Sequence, residues 1–280
     1  TFPEYTVSQL NEVHGIICGP IGHNNYPRND STWKMPPIRK KFELYAAVRP
    51  AKSYDSSKNI DIIFVRELTE GLQSSDTIVG GYPEFRPNDD ITIASRVITR
   101  KGSNRVAKAA FDLAISKNRS KVTAAHKEPL FRLSCGMFLE ECVKVSKEYP
   151  SISYEDTLID TTAMHLVSNP ESFDVVVTTN QFGDILSDIG AGLIGSIGMA
   201  PGLCLGDNIA MAQATHGSAP DIAGKNVANP YAMIMSTSML LSWMGSKYNE
   251  EKLIMASNII EESTSEVIKE RKYLTADIGG

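Results

Sequence analysis

Asp184 and Asp188 stand four residues apart in an otherwise apolar segment, Asn-Gln-Phe-Gly-Asp-Ile-Leu-Ser-Asp-Ile-Gly-Ala-Gly (180–192). On a helix this spacing puts both carboxylates on one face. Their mutual repulsion is about 0.2–0.5 kcal/mol when solvated and grows with burial, so something must offset it. A third carboxylate, Asp160, ends the stretch Ser-Ile-Ser-Tyr-Glu-Asp-Thr-Leu-Ile-Asp (151–160), which reads as a strand. Three carboxylates with few other protein ligands suit Mg²⁺ or Mn²⁺, hard ions that take oxygen donors and keep some waters. The competing reading is a solvated helix face, with Asp160 capping the helix that follows. Spacing alone leaves both open.

Three arginines suit an anionic small molecule. Arg39 and Arg49 frame the run Ile-Arg-Lys-Lys-Phe-Glu-Leu-Tyr-Ala-Ala-Val-Arg, and Arg66 ends the apolar run Ile-Ile-Phe-Val. A cation at the end of a buried strand is costly without an anionic partner, and the guanidinium fork matches carboxylates. A substrate with two or three carboxylates fits; three ordinary surface arginines are the alternative. A further segment, Thr215–Pro230, holds the small residues Gly217, Ser218 and Ala219, which let a ligand approach the backbone. His216 is placed to stack on or hydrogen-bond a base. Asp221 is placed to accept from ribose hydroxyls, and its charge repels a 2′-phosphate, which favours NAD over NADP. An ordinary Gly/Pro loop is the alternative, and no G-x-G-x-x-G fingerprint occurs.

The elements that position these residues alternate. Strands are expected over 60–68, 121–127, 151–160 and 173–179, and helices over 103–118, 133–149, 161–169 and from 180 onward, with two more over 228–244 and 250–271. The β-α-β-α order predicts an α/β fold with a largely parallel sheet. Lys127, Asp160 and Asn180 then fall at or just past the carboxyl ends of strands, where open α/β sheets build their sites.

Composition narrows the function classes. The 280 residues are 42% hydrophobic and 22% charged, which suits one large or two ordinary globular domains. The net charge of −5 and the scattered basic residues argue against a nucleic-acid partner. The uncharged stretch 189–206 nearly reaches membrane-spanning length, but six glycines and Pro201 interrupt it, so a close-packed helix and a loop are expected there and no membrane span. Cys18, Cys135, Cys142 and Cys204 have no metal or redox spacing, and Cys135 and Cys142 read as core thiols. This fits a reducing compartment and a cytoplasmic protein, or the mitochondrial matrix in a eukaryote.

The motifs TTNQFGDILSDIGAGLIGSIGMAPG and HGSAPDIAGKNVANP, with a likeness running from FPE to LTADIGG, resemble the metal-dependent β-decarboxylating dehydrogenases, the isocitrate/isopropylmalate dehydrogenase family. The resemblance implies a two-lobed fold of the isopropylmalate-dehydrogenase kind around a central mixed, largely parallel sheet. One discontinuous lobe, 1–48 with 191–280, would bind the cofactor, and a central lobe, 49–190, would carry the dimer contact. Asp184, Asp188 and Asp160 match the metal aspartates, with Asp160 and the catalytic Lys127 supplied across a homodimer. Arg39, Arg49 and Arg66 match the substrate-carboxylate arginines. His216, Gly217, Ser218, Ala219, Asp221 and Asn229 match the cofactor loop, and Asp221-Ile222 is the NAD-type pair. The implied reaction is NAD- and Mg²⁺- or Mn²⁺-dependent oxidation, with decarboxylation, of a malate-like 2-hydroxy acid. Relative to the family, the chain is expected to be shortened at both ends.

Three departures bear on that reaction. Gln73 stands where the family has a tyrosine that acts as general acid, which leaves Tyr82 or water to protonate the enolate. Lys127-Glu128-Pro129 replaces Lys-Ala-Asn. The specificity segment Asn-Asp-Ser-Thr-Trp-Lys-Met-Pro-Pro (29–37) has neither the isopropylmalate nor the isocitrate pattern, and its Trp33 leans toward the tartrate/D-malate type. A non-catalytic regulatory subunit of the same fold is the alternative function.

Overall fold

A computed structural model describes residues 4–22, 38–55, 57–72 and 84–280. Trp33, Gln73 and Tyr82 lie outside the described residues. The elements run α1 (Glu4–Leu10), β1 (Gly15–Ile17), α2 (Ile38–Lys41), β2 (Ala46–Lys52), β3 (Asp61–Glu67), β4 (Glu84–Asn88), β5 (Ile91–Ala94), α3 (Arg100–Ser116) and β6 (Lys121–His126). They continue α4 (Ser134–Ser146), β7 (Ser153–Leu158), α5 (Ile159–Ser168), β8 (Val175–Thr178), α6 (Asn180–Leu193), β9 (Leu203–Leu205), β10 (Ala210–Ala212), α7 (Tyr231–Tyr248) and α8 (Glu251–Glu270). The fold is α/β on a mixed, mostly parallel sheet. The chain divides into two compact units, Thr1–Leu44 with Val48–Lys58 and Ala191–Gly280, and Tyr45–Ala47 with Asn59–Gly190.

The second unit carries strands in the order β3-β8-β6-β7, all parallel. Its core is apolar on both faces of the sheet. Phe64, Val65, Val122, Val176 and Val177 are fully buried, as parallel strands covered by helices require. Each such side chain contributes roughly 1.5–3 kcal/mol by leaving water. The helix α3 lays Val106, Ala110, Phe111 and Ala114 into this core. It begins three residues earlier than periodicity suggests because Thr99 caps it, accepting from the Gly102 amide at 3.0 Å. It ends where Asn118 turns left-handed at φ 52°. Cys135 and Cys142 are buried core thiols on α4. The register sets the site. Arg66 lies opposite Thr178, Thr178 opposite Ala125, and Ala125 opposite Thr157, so the carboxyl ends of all four strands form one line.

In the first unit β1 pairs parallel with β10, and β10 antiparallel with β9. β9 ends a stretch that sequence alone assigns to a loop; three residues are too few to show a period. The helices α7 and α8 pack together, with Ser238 and Ser257 exchanging buried hydrogen bonds at 2.9–3.0 Å. Among the described residues no helix is long and apolar enough to cross a membrane.

Candidate active site

The question posed by Asp184 has a local answer. Arg66, at the end of β3, is 4% exposed. Its Nη1 pairs with Asp184, and its Nε and Nη2 donate to Asn180 Oδ1 at 3.0 and 2.7 Å. Asn180 Nδ2 in turn donates to the Glu70 carbonyl at 2.8 Å. The buried cation therefore has its anion, and α6 is tied to the end of β3. Gly183 permits this approach. A Cβ there would stand 2.6 Å from Arg66 Cβ and 2.7 Å from its Cγ. Asp188 sits one turn further along α6 and is exposed.

Lys127 and Asp160 follow the neighbouring strands β6 and β7. Lys127 Nζ donates to Asp160 Oδ1 at 2.6 Å. That ammonium, together with the amides of residues 160 and 161 at the start of α5, holds the Asp160 carboxyl below the usual carboxylate range. Asp160 lies inside the first turn of α5 rather than at its cap, which is Leu158. Beside them His126 is buried. Its Nδ1 accepts from the Glu128 amide at 3.0 Å, which leaves Nε2 to donate to Asp156 Oδ2 at 3.1 Å. Among the described residues no group of three or more His, Cys, Asp or Glu side chains gathers within this one chain as a metal site. Asp160 is engaged by Lys127, and Asp184 by Arg66.

A buried acidic pair escaped the sequence reading. Glu67 accepts from the Thr69 amide and hydroxyl and from the Glu70 amide. Glu70 accepts from the Thr99 amide at 3.0 Å and hydroxyl at 2.6 Å. Burial pushes the Glu67 carboxyl up, and pushes that of Glu70 up to about 7 despite those donors. Arg105, stacked over the Tyr45 ring at 4.8 Å, pairs with Glu67 at 4.0 Å.

In the first unit Arg39 is half-buried and its Nη2 donates to Gln213 Oε1 at 2.7 Å, while Arg49 is half-buried on β2. In the 215–230 loop, His216 Nδ1 donates to the Gly217 carbonyl at 2.9 Å. His216 Nε2 and Thr215 Oγ1 are buried with no partner among the described residues. Such orphaned polar atoms fit a ligand that supplies hydrogen bonds there. Gly217, Ser218 and Ala219 are exposed, and Ala219 takes a left-handed φ of 43° to start the turn Pro220–Ile222, which carries the exposed Asp221 and the half-buried Ile222. Asn229 is used structurally. Its Oδ1 accepts from the Tyr231 amide at the start of α7, and its Nδ2 donates to Asp277 at 3.1 Å.

Comparison with known proteins places this arrangement in a class. The sequence model of the isocitrate/isopropylmalate dehydrogenase family matches residues 1–280, and the chain belongs to that family. Its members are oxidoreductases that act on hydroxy acids with decarboxylation, using NAD(P) and a divalent metal. The chain is 42% identical over 294 residues to the homoisocitrate dehydrogenase of Methanocaldococcus jannaschii, covering 99% of this chain and 80% of that protein. It is 41% identical to the probable mitochondrial NAD isocitrate dehydrogenase alpha subunit of Drosophila melanogaster, covering 99% and 71%. A solved isocitrate dehydrogenase from Methylococcus capsulatus superposes with a TM-score of 0.87 at 37% identity, covering 99% of this chain and 80% of that one.

Proposed function

We propose that the protein oxidises a malate-like 2-hydroxy di- or tricarboxylic acid, of the isocitrate, isopropylmalate or tartrate/D-malate type, with loss of CO₂, using NAD and Mg²⁺ or Mn²⁺. The observation that carries the proposal is the Lys127–Asp160 contact at 2.6 Å on the carboxyl ends of adjacent parallel strands. Asp184 and Asp188 offer hard oxygen donors on consecutive turns of α6, which fits either ion. Bound Mg²⁺ or Mn²⁺ supplies Lewis acidity at the 2-hydroxyl, and NAD supplies the hydride acceptor. Lys127 and Asp160 form the donor–acceptor pair through which the hydroxyl proton passes. Arg39, Arg49 and Arg66 bind the substrate carboxylates, Arg66 from a position fixed by Asn180. His216 and the backbone of 217–219 bind the adenosine, Asp221 with Ile222 selects NAD by its charge, and Asn229 acts in this loop through its backbone.

The protein works as a homodimer with shared sites, the first unit binding the cofactor and the second carrying the dimer contact. Leu130, Leu133, Met164 and Val167 support this, since all four are apolar and more than half exposed on the second unit. The two-stranded arm β4–β5, every residue of which is exposed, belongs to the same unit. Four free thiols fit a cytoplasmic or matrix location.

The test is a screen of the purified protein with NAD⁺ on isocitrate, homoisocitrate, isopropylmalate, malate and tartrate, before and after chelation. One acid should be turned over, the rate should vanish in EDTA, and Mn²⁺ should restore it. Turnover that survives rigorous chelation removes the metal role. A protein inert toward every acid is the regulatory subunit instead.

A further inference from the structure

The structure assigns a role to Arg96, in the segment between β5 and α3: we propose that it is a positioning residue that holds the Lys127 loop and the Asp184 helix in register. Its guanidinium meets four structural segments at once. Nη1 donates to Ser134 Oγ at 2.7 Å, at the start of α4. Nη2 reaches Thr179 Oγ1 at 3.4 Å, between β8 and α6, and Cys135 Sγ at 3.6 Å. The cation lies between two rings, 5.1 Å from the Phe131 centroid and 5.3 Å from that of Phe182. No carboxylate pairs with it among the described residues. The aromatic faces and neutral oxygens balance its charge, so its five donors and planar shape are spent on geometry.

Three of those contacts, with Phe131, Phe182 and Thr179, lead to residues of the proposed chemistry. Phe131 and Leu130 donate their amides to the Lys127 carbonyl at 2.9 and 3.2 Å, so the residue whose ring Arg96 grips also closes the turn that follows Lys127. Phe182 stands two residues before Asp184, and the Gly183 amide donates to the Thr179 carbonyl at 2.9 Å, in the first turn of α6. The next residue, Val97, bridges to Gly71, whose amide donates to the Val97 carbonyl at 2.8 Å, which ties in the segment after Arg66. In the proposed dimer Lys127 serves one site and Asp184 the other, so Arg96 links the two. The inference rests on that reading for its functional meaning, but the clamp itself stands on geometry.

The experiment compares full-chain wild type, Arg96→Ala, Arg96→Lys and Phe182→Leu. Hydrogen exchange is followed in peptides covering 127–135 and 179–188, and kcat and KM are measured on the acid that the wild type turns over. Arg96→Ala should speed exchange in both peptides and lower kcat by about 10–100-fold, with KM moved less than about threefold. Methylguanidinium should restore part of the kcat, whereas Arg96→Lys, with one point of contact, should restore little. Phe182→Leu keeps the hydrogen bonds and should give the same changes at smaller size, which covers a failure of Arg96→Ala to fold. Unchanged exchange in both peptides, or a kcat within about twofold of wild type, overturns the clamp. Faster exchange in a protein whose wild type turns over no acid supports the clamp and removes the functional reading instead.

Discussion

Asp221 shows what one charge contributes at the scale of a residue. It is exposed on the turn Pro220–Ile222, five residues after a histidine whose Nε2 has no partner among the described residues. On the proposed reading its carboxylate accepts hydrogen bonds from ribose hydroxyls and repels a 2′-phosphate. Asp221→Lys should weaken NAD⁺ binding and raise kcat/KM with NADP⁺, each by about 5–50-fold, a change worth roughly 1–2 kcal/mol. Kinetics with both cofactors check this; an unchanged preference rejects the assignment. Residue types announced this loop and the strand-end positions of Lys127 and Asp160. The clamp around Arg96 was not legible, because its hydrogen-bond partners lie 38 and 83 residues away in the chain. The tie from Asn229 to Asp277 was hidden for the same kind of reason, since that partner is 48 residues distant.

At the scale of elements, the seating of α6 on β3 depends on one missing side chain. In an open helix Gly183→Ala stabilises by about 0.5–1 kcal/mol. Here the new methyl meets Arg66 Cβ at 2.6 Å, so overpacking reverses the sign and costs about 1–3 kcal/mol. A lower denaturation midpoint together with a raised KM for the acid is the expected result; a midpoint above wild type contradicts it. The Glu70 carboxyl, which joins the segment after β3 to the cap of α3, gives a pH test. Its folded value of about 7 exceeds the ordinary 4.5, so its contribution to stability is full below 4.5 and is lost as pH rises through 7. Glu70→Gln keeps an acceptor for the Thr99 amide and removes the titration. Melting scans should therefore show the wild type losing about 2–6 °C relative to the variant between pH 5 and pH 8. Parallel profiles refute the burial account. The long elements were readable in advance because α3, α4, β3, β6 and β8 carry sustained apolar patterns. The strands β1, β9 and β10 have three residues each, and β4 contains a proline and buries nothing, so no period or burial pattern marked them.

For the whole molecule, the parallel register of β3, β8, β6 and β7 puts every proposed catalytic group of the second unit along one edge. Within a single chain, however, that edge presents two separate ion pairs, Lys127–Asp160 and Arg66–Asp184. On the proposed reading, a second copy brings its own Lys127 and Asp160 to the Asp184–Asp188 face and completes the site. Two inactive variants decide the matter. Lys127→Met and Asp184→Asn, each made as a homodimer, should have almost no activity. Co-expressed, they form mixed dimers in which one of the two sites draws an intact lysine from one protomer and an intact aspartate from the other. Random pairing then predicts recovery of about a quarter of the wild-type rate. If the co-expressed variants stay as inactive as either alone while a mixed dimer is shown to form, the site is not shared between protomers.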